Sequence, residues 1–187
     1  NILVNMALAA LLGLGLGVLA ALVLEALDET LATPDDVEKK LGVPVLGICF
    51  GGQLLARAHG GSVARARKPE IGWTSIWTQE PQLVGPGPWF HWHYDRWQVP
   101  PGAREVARNA VASQAFVLRR NLAVQFHPEL TAAGLQGWLE NGGRAGAIAD
   151  GQDPDILYQH TLAEGEDAAR RAHDLVDAFI DQVAGTP

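Results

Sequence analysis

The chain contains a single cysteine, Cys49, so an intramolecular disulfide framework is excluded. A lone thiol stays reduced mainly in a reducing compartment, and we therefore expect the part that carries it to face the cytoplasm. Basic residues are also scarce, because 14 Lys and Arg stand against 21 Asp and Glu, for a formal net charge of −7. This deficit argues against nucleic acid as a partner, since such binding depends on contacts to phosphates. With 48% hydrophobic and 19% charged residues, the composition is that of a globular protein.

Charge is absent altogether from residues 2–24, where Asn5 is the only strongly polar side chain. A helix of this length spans about 34 Å, enough to cross a hydrocarbon core of roughly 30 Å. Gly13 and Gly17 have the spacing that lets membrane helices approach closely. We therefore expect a transmembrane helix that contacts the inner (plasma) membrane and anchors the chain there. A buried helix of a soluble domain is the alternative, and a signal peptide fits less well because no basic segment or small-x-small cleavage site is present.

The next segment, LEALDETLATPDDVEKKLGVPVLG, covers residues 24–47 and is acidic. Together with the apolar run, residues 5–47 resemble the last membrane helix and following segment of bacterial polysaccharide chain-length determinant proteins. That resemblance carries no catalytic residue, and it implies an alternative function, a non-catalytic membrane-anchored protein that acts by helix association. The sequence thus divides into an apolar helix at 1–24, an acidic connecting segment at 25–42 and a further domain at 43–187.

From Val43 onward the sequence alternates between short apolar runs and loops rich in glycine and proline. Continuous or alternating apolar runs of this length predict strands, and apolar residues repeating at helical spacing predict helices. Strands are expected at residues 43–48, 73–79, 89–94, 114–119 and 122–126, and helices at 53–61 and 175–183.

GICFGGQ, residues 47–53, follows an apolar strand and leads into a predicted helix. A strand, a tight turn and a helix with glycines around a central nucleophile form a nucleophile elbow, here with a thiol. Gly47 and Gly51 leave room for the turn, and Gly52 eases packing of the helix on the strand. A helix N-terminus beside Cys49 favours the thiolate, the reactive form. An inert buried cysteine is the alternative, since such cysteines are common.

AVQFHPEL, residues 123–130, places His127 at the end of a second buried-strand pattern. Glu129 follows two residues later and shares a side with His127 in extended chain, while Pro128 restricts the backbone between them. A carboxylate that orients an imidazole beside a thiol is the arrangement of a catalytic triad.

With these two motifs in place, residues 43–183 resemble the class I glutamine amidotransferase family. The shared motifs are GICFGGQ, FHPE at 126–129 and WHYD at 92–95, in the family's order. Three further stretches resemble the free-standing, GMP-synthase-like members: KPEIGW at 68–73, VPPGA at 99–103 and SQAF at 113–116.

The resemblance implies an α/β domain related to the flavodoxin-like doubly wound folds and a glutaminase reaction without a cofactor. It makes Cys49 the nucleophile, His127 the general base and acid, and Glu129 the residue that orients His127. The remaining positions bind the reacting glutamine: the backbone N–H of Phe50 faces the oxyanion, and the amino-acid end is held by Gln53 and the backbone around Trp92, His93 and Tyr94. The resemblance also implies that the substrate is glutamine and that the ammonia passes to a synthetase domain or partner subunit.

Two features depart from the resemblance. Family members carry further strand–helix units and a glycine-rich oxyanion loop before the elbow, and no glycine before Gly47 lies in such a context. We therefore expect an N-terminally truncated fold with weak or no glutaminase activity, because the loss of one oxyanion donor costs about 10²–10³-fold in rate.

HWHYD at 91–95 also imitates a zinc hydrolase motif, but Arg96 occupies the position of the next histidine, so we expect no metal.

Overall fold

The computed structural model describes residues 42–185. The predicted membrane helix at 2–24 and most of the acidic segment at 25–42 lie outside this range. Within residues 42–185, no helix is long and apolar enough to cross a membrane.

The described chain contains seven strands and four α-helices. The strands are β1 (Leu46–Ile48), β2 (Ser62–Thr74), β3 (Trp77–Thr78), β4 (Trp89–Gln98), β5 (Arg104–Arg108), β6 (Ser113–Leu118) and β7 (Asn121–Val124). The helices are α1 (Phe50–Ala58), α2 (Ala132–Trp138), α3 (Arg144–Ala149) and α4 (Pro154–Phe179). A kinked turn at Leu139–Gly143 joins α2 to α3, and a wider helical turn at Ile180–Ala184 ends α4.

Two sheets organise these elements. The larger has the strand order β1-β7-β6-β5-β3, with β1 parallel to β7 and the other neighbours antiparallel. The smaller pairs β2 with β4 in antiparallel register. The parallel pair brings the carboxyl ends of β1 and β7 to one edge of the sheet, and the chain segments that hold Cys49 and His127 follow those two ends.

The larger sheet is covered on both faces, as the alternation along β6 shows. Phe116 and Leu118 face a cluster with Leu55 and Ala56 of α1, whereas Ala115 belongs to the opposite cluster. That opposite cluster includes side chains from the end of α4 and the turn after it, namely Leu175, Ala178, Phe179 and Val183. The period of two in β6 therefore distributes its side chains to a helix on each face.

The start of α4 is encoded locally. The Asp153 side chain accepts hydrogen bonds from the backbone N–H groups of Asp155 and Ile156, and Pro154 stands at the first helical position. Both features are favourable at a helix N-terminus. Leu157, in the first turns of α4, packs in a third apolar cluster with Phe90 of β4.

Several boundaries differ from those predicted. The strand expected at 73–79 is wrong, because residue 74 ends the long strand β2 and only residues 77–78 form β3. The strand 62–72 was missed because its first part, residues 62–68, is mostly exposed and because it contains Pro69, which strands tolerate at edges. The helix predicted at 175–183 covers only the end of α4 and part of the turn after it. The earlier part of α4 was missed because it is mostly exposed and carries few apolar residues. The doubly wound parallel arrangement is seen only between β1 and β7 in the described chain.

Candidate active site

Cys49 occupies the turn between β1 and α1 in a strained backbone conformation. Its φ is 47° and its ψ is −105°, values that cost a non-glycine residue about 1–3 kcal/mol. The surrounding structure fixes the turn, since the Cys49 N–H donates to the Val124 carbonyl over 2.8 Å. The tight approach explains the first glycine of the motif, because a Cβ at Gly47 would lie 2.9 Å from the Gly51 carbonyl oxygen. The elbow predicted from the sequence is therefore present.

Phe50 is the first residue of α1, and its side chain is exposed. The N–H groups of a first helical turn have no acceptor within the helix. The Phe50 N–H consequently lies beside the sulfur with its helical hydrogen-bond position unused, as an oxyanion donor requires. Its role as that donor remains a prediction.

His127 follows β7 and is held at its backbone and its ring. Its N–H donates to the Phe90 carbonyl over 2.8 Å, and Nδ1 lies 2.7 Å from Oε1 of Glu129. The Glu129 carboxylate accepts from Nδ1–H, so Nε2 is the ring nitrogen left for the thiol. The structure thus brings Cys49 close to His127 and Glu129, although 78 positions separate Cys49 from His127 in the sequence.

The electrostatics of His127 reflect this pairing. Burial by itself lowers its pKa, but hydrogen bonds to Cys49 and Glu129 and the negative charges of both residues outweigh burial. The net effect raises the pKa of His127 to about 9. The imidazolium is therefore the favoured form of His127 at neutral pH.

A cavity of about 630 Å³ opens over this pair. Cys49, Trp92 and His127 line it, together with residues of α2 and the turn after it: Gly137, Trp138, Asn141 and Gly143. The Trp138 ring meets the His127 ring edge-on at a centroid distance of 5.0 Å. Trp138 is placed by α2, whose first turn is capped by the Thr131 side chain. These residues could not be found from sequence, because α2 carries no motif that marks it as part of a site.

The residues predicted to hold glutamine are distributed unevenly. Trp92 lines the cavity, whereas Gln53, His93 and Tyr94 do not. The Gln53 amide is turned inward, where Nε2 donates to the Asp95 carbonyl over 3.2 Å. Their role in substrate binding therefore stays a prediction.

Gln125 is a contact of the sulfur that the sequence did not single out. It is fully buried, and its Nε2 lies 3.7 Å from Sγ of Cys49. Its Oε1 is 3.4 Å from Nε2 of Gln53. Its position two residues before His127, within the strand predicted at 122–126, was the available signal, since alternate residues of a strand share a face.

Comparison with known proteins decides the family. The sequence profile described as "Glutamine amidotransferase class-I" matches residues 25–142. This chain belongs to the class I glutamine amidotransferases. The match takes in residues 25–42, the segment that resembled chain-length determinant proteins.

Curated relatives of the amidotransferase include GMP synthases. The chain is 38% identical over 130 residues to "GMP synthase [glutamine-hydrolyzing]" of Thiobacillus denitrificans, a match that covers 59% of this chain and 24% of the relative. It is 40% identical over 117 residues to a glutamine-hydrolysing GMP synthase subunit of Sulfolobus acidocaldarius, covering 58% of this chain and 62% of the relative. The matched part is thus about a quarter of the first relative and less than two thirds of the second. Neither is a chain-length determinant protein, so the resemblance of residues 5–47 to that family finds no support.

Solved structures agree with the family assignment. A glutamine amidotransferase of Thermotoga maritima superposes with a TM-score of 0.70 at 27% identity, covering 79% of this chain and 66% of that one. A glutamine amidotransferase of Methylobacillus flagellatus gives a TM-score of 0.69 at 29% identity, with coverages of 78% and 66%. The described chain therefore has the class I amidotransferase fold, with a mixed sheet.

Proposed function

We propose that this amidotransferase hydrolyses glutamine to glutamate and ammonia through a thioester on Cys49. The observation that carries the proposal is the geometry of one edge of the sheet. There a cysteine on a strained turn is hydrogen-bonded to His127, and Glu129 orients that histidine. All of this lies at the wall of a cavity of about 630 Å³, large enough for an amino acid.

The first half-reaction forms the thioester. The thiol proton resides on Nε2 of His127, and the thiolate attacks the side-chain carboxamide carbon of glutamine. The carbonyl oxygen gains negative charge, which the Phe50 N–H at the start of α1 stabilises. The C–N bond then breaks as the His127 imidazolium transfers its proton to the departing nitrogen, releasing ammonia. Because the pKa of His127 is raised to about 9, the ring holds this proton at neutral pH.

The second half-reaction regenerates the thiolate. Neutral His127 takes a proton from water, and the oxygen attacks the thioester carbon. The C–S bond breaks, glutamate leaves, and the imidazolium and thiolate are restored. Glu129 holds Nδ1–H throughout, so that Nε2 remains the nitrogen that exchanges protons.

A glutaminase assay on the purified chain tests the proposal. Release of glutamate from glutamine is measured for the wild type, for Cys49→Ser and for His160→Gln, a control at an exposed position on α4. The sequence alone predicts weak or no activity, but with the triad assembled we expect turnover by the wild type and the control, and a loss of at least about 10³-fold in Cys49→Ser. Equal rates in wild type and Cys49→Ser would contradict the proposal.

We further propose that the ammonia is consumed by a synthetase of the GMP synthase type on a separate polypeptide, in a reducing compartment. The support is the Sulfolobus acidocaldarius relative, whose name describes it as one subunit of a glutamine-hydrolysing GMP synthase. The test is to mix the chain with the separately expressed synthetase subunit of a GMP synthase, and to follow co-elution and the glutaminase rate. If the two proteins do not co-elute and the glutaminase rate does not change, this partner is contradicted.

A further inference from the structure

Three buried side chains outside the catalytic cavity form a compact cluster on the small sheet. They are Glu70 of β2 and His91 and His93 of β4, with exposed fractions of 8%, 0% and 3%. One potential ligand atom from each lies within 4.8 Å of the other two. The register explains the grouping, because Glu70 pairs directly with His93, and His91 lies two residues from His93 on the same face.

The contact between the His93 ring and the Glu70 carboxylate requires a cation. Nδ1 of His93 lies 2.9 Å from the Asp95 carbonyl, which can only accept, so this nitrogen carries the hydrogen. The neutral ring then presents the lone pair of Nε2 to Oε2 of Glu70, at 3.1 Å. Two acceptors at this distance require a proton or a metal ion between them.

The surroundings of Glu70 match those of a metal ligand. Nε2 of Gln114 donates to Oε2 over 2.8 Å, and Nδ2 of Asn109 donates to Oε1. Metal-binding carboxylates are commonly oriented by such donors, and metal-binding histidines commonly donate their other N–H to a carbonyl, as His93 does.

His91 distinguishes a metal from a proton. A proton shared between His93 and Glu70 satisfies those two groups and leaves His91 unexplained. Among the described residues, neither ring nitrogen of His91 has a hydrogen bond of normal geometry, although the side chain is fully buried. The Thr74 backbone interacts with one ring nitrogen, which leaves the other nitrogen with no acceptor or donor within residues 42–185. Leaving a buried polar group unsatisfied is unfavourable, whereas a metal ion would accept a lone pair from His91 as well as from His93.

We propose that Glu70, His91 and His93 bind a structural divalent transition-metal ion, with Zn²⁺ as the best match to two imidazoles and one carboxylate. For three atoms no more than 4.8 Å apart, the central point lies at most about 2.8 Å from each, against ligand distances of about 2.0–2.2 Å. Shifts of less than about 1 Å close the site. The ion would fasten β2 to β4, whose Phe90 carbonyl holds His127 and whose Trp92 lines the cavity. It supports the catalytic site without contacting the substrate.

The experiment uses the full chain carrying Cys49→Ser, so that the catalytic thiol cannot supply a metal ligand. The protein is stripped with a chelator, titrated with Zn²⁺ or Co²⁺ and dialysed, and bound metal is measured by elemental analysis. We expect about one zinc per chain, visible Co²⁺ absorption bands typical of tetrahedral coordination, and a higher Tm with zinc. The added variant His91→Gln is expected to retain at least tenfold less zinc, whereas His160→Gln on exposed α4 retains as much as the parent.

Two results would overturn the site. Absence of retained zinc, of Co²⁺ bands and of a Tm change in the folded parent would show that a proton joins His93 to Glu70. Equal zinc in the parent and the His91→Gln variant would show that any metal binds elsewhere. If the His91→Gln variant does not fold, the Co²⁺ spectrum of the parent alone decides, because its absence contradicts the proposal.

Discussion

Replacing Cys49 with alanine should lower the pKa of His127 sharply. In the wild type, burial disfavours the imidazolium, and the hydrogen bond and negative charge of Cys49 join those of Glu129 in overcoming it. Raising the pKa from 6.5 to about 9 corresponds to about 3 kcal/mol of preference for the protonated ring, at 1.36 kcal/mol for each pKa unit. Cys49→Ala removes the largest favourable contribution and keeps the burial, because the His127 side chain is only 12% exposed. The pKa should therefore fall toward 6.5 or below it.

Histidine titration by NMR measures this pKa directly in a chain of 20.0 kDa with six histidines. The His127 signal is assigned by its loss in His127→Gln, and its titration is compared in wild type, Cys49→Ala and Glu129→Gln. We expect a smaller decrease for Glu129→Gln, since the thiol interaction remains. A His127 pKa that stays at about 9 in Cys49→Ala would refute the inferred contact between sulfur and imidazole.

Three further predictions follow from the same site. Gly52→Ala should destabilise the protein by about 1–3 kcal/mol in urea unfolding, because the added Cβ would lie 2.8 Å from the Trp97 ring. Gly51→Ala is the control, because its Cβ meets open space, and equal stability of the two variants would contradict this packing. Trp138→Ala should reduce kcat/KM for glutamine about 2- to 10-fold by removing the ring that packs against His127, and an unchanged value would remove Trp138 from the site. Glutaminase kcat/KM should decrease as the pH rises through about 9, since the His127 proton needed by the departing ammonia is then lost, and a plateau up to pH 10 would contradict that role.

The proposed triad could be predicted from sequence because each of its residues stands at a local signal. The glycines around Cys49 report a turn that only small residues allow, and the structure shows the close approach of Gly47 to the Gly51 carbonyl oxygen. His127 and Glu129 lie two residues apart at a strand end, so their contact needs no information from distant parts of the chain.

The rest of the site depends on tertiary packing that no local pattern encodes. Trp138 reaches His127 because Leu135 of α2 packs with Phe90 of β4 and Leu157 of α4. The sequence of α2 resembles any short amphipathic segment. Glu70 joins His91 and His93 through the register of two strands, one of which was not predicted. Asp95, which the HWHYD pattern offered as a ligand, does not belong to the cluster.

The proposed function requires that Cys49 is a nucleophile presented to glutamine beside His127. Its most direct test is mass spectrometry of the intact chain after incubation with a glutamine analogue that alkylates thiols. We expect one adduct per chain, located on Cys49, lost in Cys49→Ser and suppressed by excess glutamine. Absence of labelling in the folded wild type, or labelling that glutamine does not suppress, would contradict it.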